Sequence, residues 1–185
     1  MKTLILYTLM AFCTLAYGQK LIVTPIGLKD SSDNEKTYIV LNADGKSAKQ
    51  LFDNALKYIN KNYKSPDDVI KGKTDGEYLK FITHISDFLI VNNSGAKIKI
   101  DADYTIELNF KDGKVKFEII SLDMYAQNGG YKVLFSGGAF EGYPIYNKQG
   151  DLKRPETKIE IETFFNVTIN SLSDFLLDKS DIDKW

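Results

Sequence analysis

Lys97-Ile98-Lys99-Ile100-Asp101-Ala102-Asp103-Tyr104-Thr105-Ile106-Glu107-Leu108-Asn109-Phe110, continued by Lys111-Asp112-Gly113-Lys114-Val115-Lys116-Phe117, decides the fold class of this 185-residue chain. Every even position from Ile98 to Phe110 is apolar or aromatic and every odd one polar. Side chains alternate faces along a strand, so this period of two reads as a strand buried on one side and wet on the other. Asp112-Gly113 then favours a two-residue hairpin turn of type I′, whose central residues both take positive φ. With that turn, Phe110 opposes Val115, Leu108 opposes Phe117 and Ile106 opposes Ile119, which puts the apolar residues of both strands on one face.

Working outward, Tyr38-Ile39-Val40-Leu41 gives a short strand and Ser47 with Gln50 a capping box that opens a helix. Leu51, Phe52, Ala55, Leu56, Ile59 and Tyr63 recur at helical spacing, and Pro66 ends the run by disfavouring an α conformation at Ser65. Tyr78 to Val91 is rich in strand formers, with a break at Ser86-Asp87. Residues 123–155 are punctuated by glycines, with a further strand around Tyr131 to Phe135. After Pro155, Ile161, Phe165, Thr168, Leu172, Phe175 and Leu176 mark an amphipathic helix, with acidic residues in its first turns to complement the helix dipole. The order strand, helix, several antiparallel strands, helix predicts an α+β fold: one antiparallel sheet with two helices packed on its apolar face. The single domain spans 37–177, preceded by a loose leader over 19–36 and followed by a fraying tail over 178–185.

The short strand, the capped helix Ser47 to Ile59, the hairpin from Tyr104 to Phe117 and the closing helix together resemble an exported domain of unknown function, with a TATA-box-binding-protein-like fold, that recurs in Bacteroidetes. The resemblance covers roughly residues 37–122 and implies fold and compartment, with no activity to carry over. It gives no warrant for DNA binding, because the solvent-side residues Lys97, Lys99, Asp101, Asp103, Glu107, Lys116 and Glu118 mix both signs.

The N-terminus has the order of a secretory signal: Lys2, an apolar run from Leu4 to Ala16, and the small-x-small site Ala16-Tyr17-Gly18. Cleavage after Gly18 is expected, giving an exported chain, periplasmic or extracellular, that begins at Gln19. Phe12 before Cys13, the only cysteine, disfavours a lipid anchor. Loss of residues 1–18 removes that thiol and leaves no integral membrane segment. It also leaves 23 basic against 25 acidic residues, a net charge of −2, with Arg154 the only arginine. Such a balance argues against nucleic acid as a partner.

Catalytic signals are sparse. His84 is the only histidine, a count read as excluding both a His-based triad and a two-His metal site within one chain; the residue reads as a solvent-facing strand histidine. Asp101 and Asp103 stand about 7 Å apart along a strand, with Glu107 beyond, a spacing open to a carboxylate-dependent hydrolase but better explained as a solvated face. Asp178, Asp181 and Asp183 only partly match a calcium loop, which needs a central Gly and a final Glu. No nucleotide or nucleophile-elbow motif appears, and neither a cofactor nor a metal is expected. The candidate surface is the aromatic and glycine-rich stretch from 125 to 146, where Tyr125, Tyr131, Phe140, Tyr143 and Tyr146 form a platform for a sugar or a protein, or else complete the core. The sequence reading is a non-catalytic interaction or accessory module of the envelope, contacting a protein or another envelope component. The alternative is a small-ligand or glycan-binding protein that uses this stretch or a pocket between sheet and helices.

Overall fold

The computed structural model describes residues 19–127, 129–138 and 140–179; the expected signal peptide lies outside them, as do Asp181 and Asp183. The chain runs β1 (Leu21–Thr24), β2 (Gly27–Asp30), β3 (Tyr38–Asn42), α1 (Ala48–Asn62), α2 (Pro66–Val69), β4 (Ile70–Thr74), β5 (Tyr78–Asn93), β6 (Ala96–Lys111), β7 (Lys114–Ala126), β8 (Val133–Ser136), β9 (Tyr143–Tyr146) and α3 (Pro155–Leu176). Five of these strands form one antiparallel sheet in the order β3-β7-β6-β5-β4. It is the α+β sheet predicted from residues 97–117.

In β6 the even residues from Ile100 to Phe110 are all buried, and the register Phe110↔Val115, Leu108↔Phe117, Ile106↔Ile119 forms as expected. The turn itself differs. Gly113 alone takes positive φ (74°), so the loop is not type I′. Tertiary contacts hold it in another shape: Ala43 N donates to Gly113 O, Gly113 N to Lys46 O (each 2.8 Å), and Ala48 N to Asp112 Oδ1 at 2.8 Å. The β5–β6 loop, with Ser94 (φ 50°) and Gly95 (φ 86°) both positive, is the one with type I′ signs. The break expected at Ser86-Asp87 is a bulge within one long strand, the register jumping between Ile85 and Leu89, with Asp87 at φ 55°. Since β4 pairs only with residues 78–81 of β5, no strand lies beside 82–93 on that side among the described residues.

Ser47 caps α1 as read from the sequence: its hydroxyl accepts Gln50 N at 3.3 Å while Gln50 Oε1 accepts Ser47 N at 2.9 Å. The buried stripe Leu51, Phe52, Ala55, Tyr58 and Ile59 meets the sheet's apolar face beside α3, whose Ile161, Phe165, Ile169, Leu172 and Leu176 are buried with it. Phe165 meets Tyr104 edge-on at 5.3 Å and Phe175 meets Tyr58 at 5.4 Å, so both helices and the sheet share one core. Pro66 ends α1 as expected and starts the short α2, which runs into β4 at Ile70.

Two segments depart from expectation. Residues 19–36 are not a loose leader: β1 and β2 pair as a hairpin, and Leu21 and Val23 are 1% and 2% exposed. Asn166 of α3 clamps Leu21 at both its N–H and its carbonyl (2.9 Å each), and Glu162 Oε1 accepts Val23 N at 2.8 Å. A short apolar run outside the main sheet is thus ordered by its hairpin partner and by a helix far along the chain. Residues 133–146 hold the expected strand β8, but it pairs in parallel with β9, outside the main sheet. A β8–β9 hairpin is thereby ruled out, because a parallel pair needs a crossing connection between its strands.

Candidate functional site

The outer, wet face of the sheet gathers His84 with partners that sequence reading did not supply. Asp103 Oδ1 lies 3.0 Å from His84 Nδ1, Ser86 Oγ lies 3.2 Å from Nε2, and Tyr125 Oη donates to Asp103 Oδ2 at 2.9 Å. A single histidine suffices for the connectivity Ser86-His84-Asp103, so this corrects the expectation that no such line could form. The carboxylate accepts from the ring and from the phenol, and that bond to Asp103 holds the Tyr125 hydroxyl above the ordinary tyrosine range. Beside it Asp101 accepts from Gln127 Nε2 at 2.6 Å and from Asp87 N at 2.9 Å, and these bonds depress its pKa. Glu107 stands further along, accepting Tyr78 Oη at 3.0 Å.

This array is a cross-strand hydrogen-bond network open to solvent. His84 and Asp103 are each about half exposed, so water competes for every partner. The bulge amide of Asp87 donates to Asp101. Among the described residues no three His, Cys, Asp or Glu side chains are grouped to hold a metal. No helix there is long and apolar enough to cross a membrane.

The five aromatic residues from Tyr125 to Tyr146 do not make one platform. Tyr125 belongs to the His84 array on β7. Tyr146 packs inward, its hydroxyl donating to Val23 O at 2.9 Å, and so ties β9 to the N-terminal hairpin. Phe140 is 93% exposed on a loop, apart from the others. Only Tyr131 and Tyr143 come together, their rings edge to face at 5.8 Å, with Tyr131 52% and Tyr143 7% exposed. They line a surface groove of about 400 Å³ with Asn93, Gly137, Gly142, Pro144, Asn147, Lys153 and Arg154.

Local structure explains how these residues meet. Tyr143 N donates to Lys132 O at 2.8 Å, which draws the start of β9 alongside β8 and places Tyr143 next to Tyr131. A Cβ on Gly142 would sit 2.4 Å from that same carbonyl, so glycine is the residue that lets the strands close. The chain then turns through Asn147 to Asp151 and returns antiparallel, Ile145 O accepting both Lys153 N (2.7 Å) and Arg154 N (3.1 Å). That return lays the Arg154 guanidinium over the Tyr143 ring at 5.4 Å. Arg154 Nη1 also donates to Asn92 O at 3.0 Å, joining the groove to the end of β5. A larger hollow of about 500 Å³ lies on the sheet's outer face, lined by Tyr38, Val40, Glu107, Asn109, Lys111, Lys114 and Lys116. There the Tyr38 ring is already covered by Lys116 at 4.6 Å, and Lys116 is paired with Glu118 at 2.6 Å. The Tyr131 groove is therefore the better candidate. Sequence reading missed Arg154 as a member; its being the only arginine, next to Pro155, was the available signal.

Residues 38–125 match the family model described as a domain of unknown function (DUF4468) with TBP-like fold. Similar solved structures include a DUF4468 family protein from Bacteroides ovatus. It is 15% identical, covers 75% of this chain and 84% of that one, and has a TM-score of 0.55. A TBP-like protein from Parabacteroides distasonis is also 15% identical, covering 75% and 90%, with a TM-score of 0.48. At such identity the likeness to the Bacteroides ovatus protein is one of fold. No curated protein matches the chain. The matched segment ends at Tyr125, so every residue lining the groove except Asn93 comes from chain that follows it.

Proposed function

We propose that this chain, whose residues 38–125 match the model of a domain of unknown function (DUF4468) with TBP-like fold, is an exported, non-catalytic binding module that recognises an envelope component through the Tyr131–Tyr143–Arg154 groove. The observation that carries the reading is the half-exposed ring of Tyr131 beside a Tyr143 ring held by the only arginine. An aromatic face with a polar rim is the usual composition of a recognition surface. Export rests on Lys2, the short apolar run and the Ala16-Tyr17-Gly18 site. The open, hydrated setting of His84 supports leaving catalysis out.

The test has two arms. Mass spectrometry of the chain recovered from periplasmic and secreted fractions should show Gln19 as the first residue; a chain found only intact in the cytoplasm would overturn export. Binding of the purified chain to washed envelope fractions should fall at least several-fold with Tyr131→Ala, whose folding is checked by its melting temperature. Equal binding by the two proteins would remove the groove from the reading.

A further inference from the structure

The groove's unused hydrogen-bonding capacity is concentrated and mostly cationic. A guanidinium has five N–H donors, and among the described residues Arg154 commits one nitrogen, Nη1, to Asn92 O, with no ion pair. The Lys153 ammonium stands 3.7 Å from Asp151 Oδ2, beyond hydrogen-bond reach, with no other partner among the described residues. The hydroxyls of Tyr131 and Tyr143 and the side-chain amide of Asn93 also make no hydrogen bond among the described residues. Asn147, by contrast, is consumed by its own loop, accepting from Gln149 N and Asp151 N and donating to Asp151 Oδ2. Lys153 and Arg154 also line a second hollow of about 240 Å³ that adjoins the first, so both cations stand where the two meet. Two acids stand at this junction: Asp151, which faces Lys153 only loosely, and Glu156, which lines the second hollow. Glu141, across Gly137 and Gly138, is tied to Lys148 at 2.5 Å and to Gly138 N at 3.0 Å.

We propose that this groove binds an acidic saccharide, with a sugar ring against Tyr131 and its carboxylate on Arg154 and Lys153. The assignment rests on the binding role proposed above and names its ligand class. A pyranose has an apolar C–H face and a rim of hydroxyls, which suits a half-exposed phenol ring flanked by an amide and a second phenol. The carboxylate suits a planar guanidinium with free paired donors better than it suits a lysine alone. A peptide is the poorer fit, because the backbone lining the groove is already paired: Tyr143 N with Lys132 O, and Gly137 N with Tyr146 O. The volume lies at the low end of the roughly 300–1,000 Å³ range of small-molecule sites, the size of a short saccharide.

Calorimetric titration of the purified chain with a trimer of galacturonic acid and, separately, with the neutral galactose trimer tests this. The acidic trimer is expected to bind and the neutral one to bind at least about tenfold more weakly, the worth of one charge-assisted hydrogen bond. Arg154→Gln should lower affinity for the acidic trimer by roughly 10- to 100-fold. Lys153→Ala, which removes no hydrogen bond within the chain, should lower it in the same direction. Phe140→Ala, outside the groove, should leave it unchanged. Equal affinity for the two trimers, or acidic binding retained in both cation variants, would overturn the proposal. If neither trimer binds while Tyr131→Ala still weakens envelope binding, the acidic-saccharide assignment fails and the groove's binding role stands.

Discussion

The clamp between α3 and the N-terminal hairpin gives a sharp test, because the same residues were expected from sequence to hang free. Asn166→Ala removes an acceptor 2.9 Å from Leu21 N and a donor 2.9 Å from Leu21 O, and Leu21 is buried where water does not readily replace them. Each such bond contributes about 0.5–1.5 kcal/mol net, so losing the pair should destabilise the chain by about 1–3 kcal/mol. For a domain of this size each kcal/mol lowers the melting temperature by about 2–4 °C. Leu21→Ala, which empties a fully buried site, should cost more, about 2–5 kcal/mol. Urea unfolding of the chain beginning at Gln19 measures both, with an unchanged denaturant slope expected if the hairpin unfolds with the rest. Native-state hydrogen exchange then reads the amides directly, and those of Leu21 and Val23 should be protected to the same degree as α3. A change below about 0.5 kcal/mol in both variants, together with unprotected amides at 21 and 23, would refute the docking of the hairpin and restore the loose leader.

Other outcomes follow from single contacts. Ser47→Ala breaks the capping box and should cost about 1 kcal/mol by chemical denaturation. Gly142→Ala forces a Cβ against Lys132 O and should cost at least about 1–3 kcal/mol, with loss of the Tyr131–Tyr143 ring contact in NMR spectra. The Asp178 carboxyl is held below its ordinary value of 3.8 first by its bond to Lys46, with Asn54 as a second partner at 3.0 Å. A depressed pKa gives stability that is full above the unfolded value and lost as pH falls through the folded one. The fall in melting temperature below about pH 4 should accordingly be shallower in Asp178→Asn than in the wild type; identical slopes would assign that acid sensitivity elsewhere.

The sheet was legible because β6 carries its own proof: the alternation from Ile98 to Phe110 and the two-residue turn after it agree without reference to any other segment. The same holds for α1, whose cap and stripe are local. What failed was whatever depended on distant chain. Leu21-Ile22-Val23 is too short to declare a strand, and its partners Glu162 and Asn166 are read as ordinary polar helix residues. The shape of the Asp112-Gly113 turn was decided by Ala43, Lys46 and Ala48 rather than by its own pair. Residues 125–146 were singled out by composition, but composition cannot separate Tyr143 in a groove from Tyr146 under a hairpin or Phe140 on a loop. The sorting came from a parallel strand pair and the return of Lys153 and Arg154, neither of which leaves a periodic mark.

The bulge at residues 86–88 has a consequence for life at high concentration. Among the described residues no strand pairs with β5 beyond Phe81 on one side, and Arg154 covers only the Asn92 carbonyl near its end, so residues 82–91 leave an open edge of the kind on which another chain can add a strand. Ile82 and Ile90 are both exposed and bracket the stretch, which would make such addition stickier. Between them the left-handed Asp87 breaks the regular spacing, and its side chain is pinned to Lys99 and Gln127, so a straight incoming strand meets a kink and fixed charge partway along. The irregularity that first showed in the sequence as Ser86-Asp87 thus doubles as a guard against self-association, and smoothing it would trade a more regular sheet for a chain more prone to aggregate.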